Sequence, residues 1–396
     1  MYVKVLKEQR GRRAEDAVVV KKLLLLFLLI SQISLAQEQP DNSLEVDFNS
    51  YFDNFRLIVV YPTISINKNL DSKTSVTASY LVDAISAASM RMVLRVDGIT
   101  SATKSTNGGE SGLTELRHQF TGGITRFIGD ASISVNGMYG IEHDYSSKTF
   151  ATNLSLPFAK KNTTFQIGFA GNWDKVFPKT RDWTKDRNTQ TLNLSVSQIL
   201  SKKLIGQIDF SLINVTGYML DGYQVVRIIN GSTFQILEPI TPDKRVRKAF
   251  GGKLNYGVTR KSTLQFGYRY YWDTWDIKSH TFDAGYKSHL SESVNFSLDL
   301  RQYFQTKAYF FKPEYLTPEP FMVVDGKLNS GYTTDVSIGF DFTGSNGSDF
   351  PLLNNDKMML ITKFGVFHRY TDSPDWFSRM NSLYAYLITL GWKYNF

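Results

Sequence analysis

The stretch Y-A-Y-L-I-T-L-G-W-K-Y-N-F, residues 384–396, decides the fold. Tyr384, Tyr386, Ile388, Leu390, Trp392, Tyr394 and Phe396 occupy every second position, with Ala385, Thr389, Gly391, Lys393 and Asn395 between them. A period of two puts the two sets on opposite faces of a β-strand. One face is apolar and aromatic and the other is small and polar, which suits a strand with lipid on one side and water on the other. A soluble edge strand has little reason to end on an exposed Phe396.

The same period recurs upstream. Phe165, Ile167, Phe169 and Trp173 alternate with Thr164, Gln166, Gly168 and Asn172. Leu264, Phe266, Tyr268, Tyr270 and Trp272 alternate with Gln265, Arg269, Tyr271 and Asp273, and Val294, Phe296, Leu298 and Leu300 with Asn295, Ser297, Asp299 and Arg301. Segments of this kind predict strands at 43–51, 55–66, 72–82, 115–127, 130–142, 147–157, 162–173, 189–200, 203–216, 247–258, 261–275, 279–289, 292–304, 331–342, 358–370 and 383–396. About sixteen strands, an even number, define an all-β transmembrane antiparallel barrel. Short links alternate with longer ones at 83–114, 174–188, 217–246 and 305–330, the expected difference between periplasmic turns and long external loops.

Composition agrees. The 28 Phe and 21 Tyr, with 28 Gly against 11 Pro, and a mean hydropathy of -0.23, describe many half-apolar strands rather than greasy helices. The absence of cysteine excludes disulfides, thiolate metal sites and an N-terminal lipoprotein anchor. Four of the +8 net charges fall in the first 22 residues, and the remainder is too small over so long a chain to imply nucleic acid. Lys21-Lys22 before L-L-L-L-F-L-L-I-S-Q-I-S-L-A-Q reads as a secretory signal with cleavage before Gln37. Residues 1–36 are then an extension plus cleavable signal peptide, and 37–396 a single barrel domain.

Catalytic signatures are missing. His118, His143, His280, His289 and His368 lack metal-ligand spacing, and no phosphate-binding glycine loop or nucleophile elbow is present, so neither a metal site nor an enzyme is expected. Arg269, Asp273, Asp299 and Arg301 are expected to satisfy one another in a wet lumen or to constrict a channel.

One pattern is not needed by strands. D-A-I-S-A-A-S, residues 83–89, has the spacing of D-G-I-T-S-A-T, residues 97–103. Asp83, Ser86 and Ser89 correspond to Asp97, Thr100 and Thr103, with Ala102 before the last hydroxyl. The repeat resembles the target motif of the FAD:protein FMN transferase. That resemblance implies covalent FMN on Thr103, with Ser89 as a second candidate acceptor whose copy departs from the pattern at Ala87. Parity puts this loop on the external side or folded into the lumen whereas the transferase is periplasmic, so either modification precedes insertion or the strand count is off by one.

Other blocks carry a wider resemblance, among them Y-L-V-D-A-I-S-A-A-S, H-D-Y-S-S-K-T-F, G-Y-R-Y-Y-W-D-T-W-D-I-K-S-H-T and L-R-Q-Y-F-Q-T-K-A-Y-F-F. They resemble the domain-of-unknown-function family thirty-five seventy, outer-membrane barrels of Gram-negative bacteria. The resemblance implies an outer-membrane location, contact with outer-membrane lipid, and association with the FMN transferase and small lipoproteins. The terminal aromatic strand resembles the signal read by the barrel assembly machinery. Three functions are expected to compete: flavin-linked redox or solute transfer, a cofactor-free diffusion channel, and a scaffold barrel. In the third, Tyr223, Phe234, Tyr309, Phe310, Phe311 and Tyr315 of the long loops would bind a partner.

Overall fold

The computed structural model describes residues 41–55, 57–87, 115–220, 222–230, 233–371 and 381–396. Sixteen strands form one closed antiparallel barrel. They are β1 (Ser43–Asp53), β2 (Leu57–Asp71), β3 (Thr74–Ala87), β4 (Glu115–Ile128), β5 (Ala131–Ile141), β6 (Tyr145–Phe158), β7 (Thr163–Val176), β8 (Lys185–Ser201), β9 (Leu204–Gly217), β12 (Lys244–Gly257), β13 (Ser262–Asp273), β14 (Lys278–His289), β15 (Val294–Gln305), β16 (Gly331–Thr343), β17 (Met358–Thr371) and β18 (Ser382–Asn395). A small hairpin, β10 (Val226–Asn230) and β11 (Thr233–Leu237), stands apart within the connection from β9 to β12. Each wall strand pairs with its sequence neighbours, and β1 closes the ring against β18 from Ser43↔Asn395 to Asp53↔Ala385. Closure leaves no unpaired edge, which lets a sheet cross lipid.

The alternation read from the sequence holds. Phe48 pairs across with Leu390 and Pro62, Phe250 with Phe210 and Tyr270, and Phe304 with His280 and Tyr332, all on the outer face. Phe48, Phe120, Phe266 and Leu390 are each more than half exposed, so the outside is an apolar band. Arg269, Asp273, Asp299 and Arg301 have the opposite parity and face the lumen.

The two ends of the barrel differ. The end holding the start of β1 and the end of β18 is closed by brief turns, such as Gly129-Asp130 between the paired Ile128 and Ala131, where Gly129 adopts φ 61. The opposite end carries the described connections at 177–184, 218–243 and 306–330. One connection breaks the expected asymmetry: 344–357 is long but lies at the end of the short turns. It folds on itself around a 3-10 turn at Pro351–Leu353, and the outward Trp392 donates its indole N–H to Leu352 O at 3.1 Å.

Several boundaries move. β3 runs to Ala87, so the first copy of the D-x-x-[S/T] repeat, expected to open a loop at 83, lies mostly in the wall. There Asp83 stands opposite Arg117 and Ser86 opposite Ile58. Trp275, expected to finish a strand, belongs instead to the turn after β13 and is 1% exposed.

At the long-loop end the connections 218–243 and 306–330 build a cap with its own apolar core. Leu220, Trp275, Ile277, Phe310, Phe311 and Val323 form one cluster, and Val226, Ile228, Tyr315, Met322 and Val324 a second. Backbone bridges Ile228↔Tyr315 and Ile240↔Met322 tie the two connections together. The buried Tyr315 hydroxyl donates to Phe310 O at 3.0 Å and accepts from Val323 N at 3.0 Å, and burial holds it above the usual tyrosine pKa.

Candidate functional site: the charged lumen and its rim

The inner face is polar along its length, and two cavities open along it. One of about 420 Å³ is bordered by Asn193, Ser195, Asp209, Ser211, Arg269 and Thr281. The other, about 560 Å³, is bordered by Asn255, Gln265, Asp299, Asp335, Ser337 and Lys363. Gln207, Lys253, Gly267, Asp283 and Arg301 border both, so the two adjoin.

Inward-facing glycines help keep it open. A Cβ at Gly251 would stand 2.7 Å from Asp209 Oδ2, and one at Gly267 would stand 3.2 Å from the Asp283 carboxylate. Each acid thus lies flat on the wall over a residue without a side chain, rather than across the lumen.

The lumenal charges do not pair as expected. Arg269, Asp273, Asp299 and Arg301 share the inner face, but they do not satisfy one another. Arg301 bonds Asp283, its direct cross-strand partner, at 2.7 Å, and Asp299 faces Lys363 at 3.7 Å. Arg269 donates to Ser211 Oγ at 3.4 Å, and Asp273 takes Arg245 at 2.5 Å. Strand register, which the sequence does not print, sets these partners.

Beneath the cap, the rim of the lumen concentrates arginine and tyrosine. Arg187 holds Asp174 at 2.6 Å and donates to Tyr145 Oη at 3.0 Å. Arg245, buried, is clamped to Asp273 through Nε at 2.8 Å and stacks over Trp275 with its guanidinium carbon 4.3 Å from the ring centre. Asp273 Oδ1 accepts Trp275 N at 2.8 Å and Ile277 N at 3.1 Å, while its Oδ2 also accepts the Tyr271 hydroxyl at 2.5 Å. The β1–β2 hairpin repeats this device. Asp53 Oδ1 accepts Phe55 N and Leu57 N at 2.9 Å each, and Tyr51 donates to its Oδ2 at 3.1 Å. The pattern Y-x-D-x-aromatic-x-aliphatic occurs at 51–57 and 271–277, a signal the sequence reading passed over.

The loop aromatics are engaged within the protein. Phe310, Phe311 and Tyr315 are buried in the cap, and Tyr223 donates to Asp144 Oδ2 at 2.5 Å. Tyr309 is 53% exposed, and the side chain of Phe234 lies outside the described residues. Nor do the histidines all line the lumen. His118 and His280 face outward, meeting Tyr80 Oη at 2.9 Å and Tyr268 Oη at 2.8 Å, and His368 stacks on Tyr384 with centres 4.3 Å apart. They belong to an aromatic girdle at the long-loop end. Among the described residues no group of three acidic or imidazole side chains could hold a metal ion.

Of the candidate flavin residues, Asp83 faces the lumen opposite Arg117, and Ser86 is described by its backbone pairing alone. Ser89, Asp97, Thr100, Ala102 and Thr103 lie outside the described residues, as does the signal segment.

A closed sixteen-strand wall, apolar outside and charged inside, defines a β-barrel of the outer-membrane type. The chain belongs to the family described as Protein of unknown function (DUF3570), whose model matches residues 29–184 and 177–344. No curated protein matches the sequence. Among solved structures it is similar to a bacterial polysaccharide outer membrane secretin, at 7% identity and TM-score 0.50 over 91% of this chain and 100% of that one. It is also similar to a BenF-like porin from Pseudomonas fluorescens Pf-5, at 11% identity and TM-score 0.46 over 91% and 100%. A third is the siderophore receptor PirA from Pseudomonas aeruginosa, at 8% identity and TM-score 0.43 over 84% of this chain but 56% of the receptor. At these identities the likeness is one of fold.

Proposed function

We propose that the protein is an outer-membrane channel for small polar solutes, with its long loops and cap outside the cell and its short turns in the periplasm. The observation that carries this reading is the pair of adjoining polar cavities lined by Asn193, Asp209, Lys253, Arg269, Asp283 and Arg301 inside an apolar wall. A scaffold barrel has no need of a lumen floored with glycine and lined by hydrogen-bonding groups. Current across a planar bilayer, and its block by a thiol reagent acting at a cysteine placed in the lumen, tests the reading.

The doubled motif supports a second element. The FMN transferase would move FMN from FAD to the Thr103 hydroxyl before insertion, the hydroxyl oxygen losing its proton and forming the phosphoester as the pyrophosphate bond breaks and AMP leaves, and the flavin would serve redox chemistry. With Asp83 paired in the wall, the second copy, 97–103, is the stronger candidate on sequence. The intact mass of protein purified from its native membrane is expected to carry an FMN-sized increment that Thr103→Ala abolishes. An unmodified mass would remove flavin from the account.

A further inference from the structure

Arg247 is a lumenal guanidinium whose natural counter-charge is engaged elsewhere. It shares the inner face of β12 with Arg245, and register places it directly opposite Asp273 on β13. That carboxylate is fully occupied by Arg245, Tyr271 and the amides of Trp275 and Ile277. The other nearby acid, Asp174, is held by Arg187 through two bonds and accepts Asn172 Nδ2 at 2.7 Å. On its other side Arg247 has Ile213, which offers nothing polar.

Arg247 therefore lies within electrostatic reach of two further guanidiniums, Arg187 and Arg245, each already paired with its own carboxylate. Among the described residues Arg247 makes no ion pair, and its Nε is buried without a hydrogen-bond partner. A desolvated cationic donor left unpaired is costly, and so is the repulsion from two neighbouring arginines. An oxyanion would relieve both, because two parallel N–H groups of a guanidinium match two oxygens of a carboxylate or phosphate.

We propose that Arg247 is the anion-binding residue of the rim, a station where a small carboxylate or phosphate is held before entering the cavity beside Arg269. This rests on the channel reading for its biological use, but binding itself is measurable without conduction. Arg369, a second arginine with a buried unpaired Nε, is the control, since the charges set about it are the acids Asp53 and Asp325, whereas Arg247 also meets Arg187 and Arg245.

The test is equilibrium titration of the detergent-folded barrel with inorganic phosphate and, separately, sodium acetate, with sodium chloride matched throughout. Saturable binding of at least one oxyanion is expected, and which of the two binds identifies the head group. Arg247→Gln should weaken it about ten- to a hundredfold, the loss expected for a charged hydrogen-bonding partner. Arg247→Lys, which keeps the charge without the fork, should fall between the two, and Arg369→Gln should bind as the parent does. Heat-dependent gel mobility reports whether each variant is folded, and Arg247→Lys serves if Arg247→Gln does not fold. Failure of the parent to bind either anion, or binding undiminished in the folded Arg247 variants, overturns the proposal. Bilayer current in the same preparations is a separate result: a barrel that conducts without binding refutes the anion station alone, and one that binds without conducting refutes the channel alone.

Discussion

Asp273→Ala is expected to lower the free energy of unfolding by about 3–5 kcal/mol, read from urea titration of the barrel in lipid vesicles. Asp273 performs three tasks: it neutralises the buried Arg245, caps the amides of Trp275 and Ile277, and accepts the Tyr271 hydroxyl. Its side chain is 0% exposed and that of Arg245 is 10% exposed, so removing the acid strands a guanidinium where water reaches it poorly. The β1–β2 hairpin supplies an internal comparison. Asp53 makes the same turn and tyrosine bonds with Arg369 within electrostatic reach rather than clamped to it, so Asp53→Ala is expected to cost less, about 1–2 kcal/mol. The double change Arg245→Met with Asp273→Ala should recover part of the loss, because an apolar side chain beside Trp275 needs no counter-charge. Equal losses at Asp53 and Asp273 would show that the turn alone matters.

Val323→Asp is expected to release the cap while leaving the wall intact. Val323 is 0% exposed and packs with Trp275, Phe310 and Phe311, so a carboxylate there would be buried among apolar groups at a cost of several kcal/mol. Arg245, which stacks on Trp275 of that cluster, is already clamped to Asp273. The cap is held by side-chain packing and two isolated bridges, whereas the wall is held by continuous ladders on both sides of every strand. The weaker unit yields first. Limited proteolysis should then cut within 306–330 at a protease level the parent withstands, and single-channel conductance should rise as the mouth widens. A cut cap with unchanged conductance would show that the cap does not restrict the path.

The wall was legible because its signal is local. Each outward apolar residue of β13, from Leu264 to Trp272, announces its own face, and all sixteen predicted segments became wall strands. What the sequence concealed is non-local. Phe311 reads as an exposed loop aromatic until Trp275, from another connection, and Val323, from further along its own, cover it. Lumenal acids and bases can be assigned to a face by parity, but Arg301 meets Asp283 straight across the ladder whereas Asp273 turns aside from Arg247 to Arg245. The extension of β3 through Asp83 was hidden because small residues and hydroxyls at 84–89 carry no apolar alternation. The long connection at 344–357 escaped notice because the expected asymmetry left no place for it.

The central claim, that solute passes through the charged lumen, is tested most directly by the current carried by an Asn193→Cys barrel before and after a membrane-impermeant thiol reagent. Asn193 is exposed on the inner face and borders the cavity of about 420 Å³, while Leu192 faces lipid, and the native chain has no cysteine to confuse the readout. The account predicts a steady current that falls when Asn193→Cys is labelled and is unchanged when Leu192→Cys is treated in the same way. A current indifferent to labelling at Asn193→Cys, or no current at all, would contradict it.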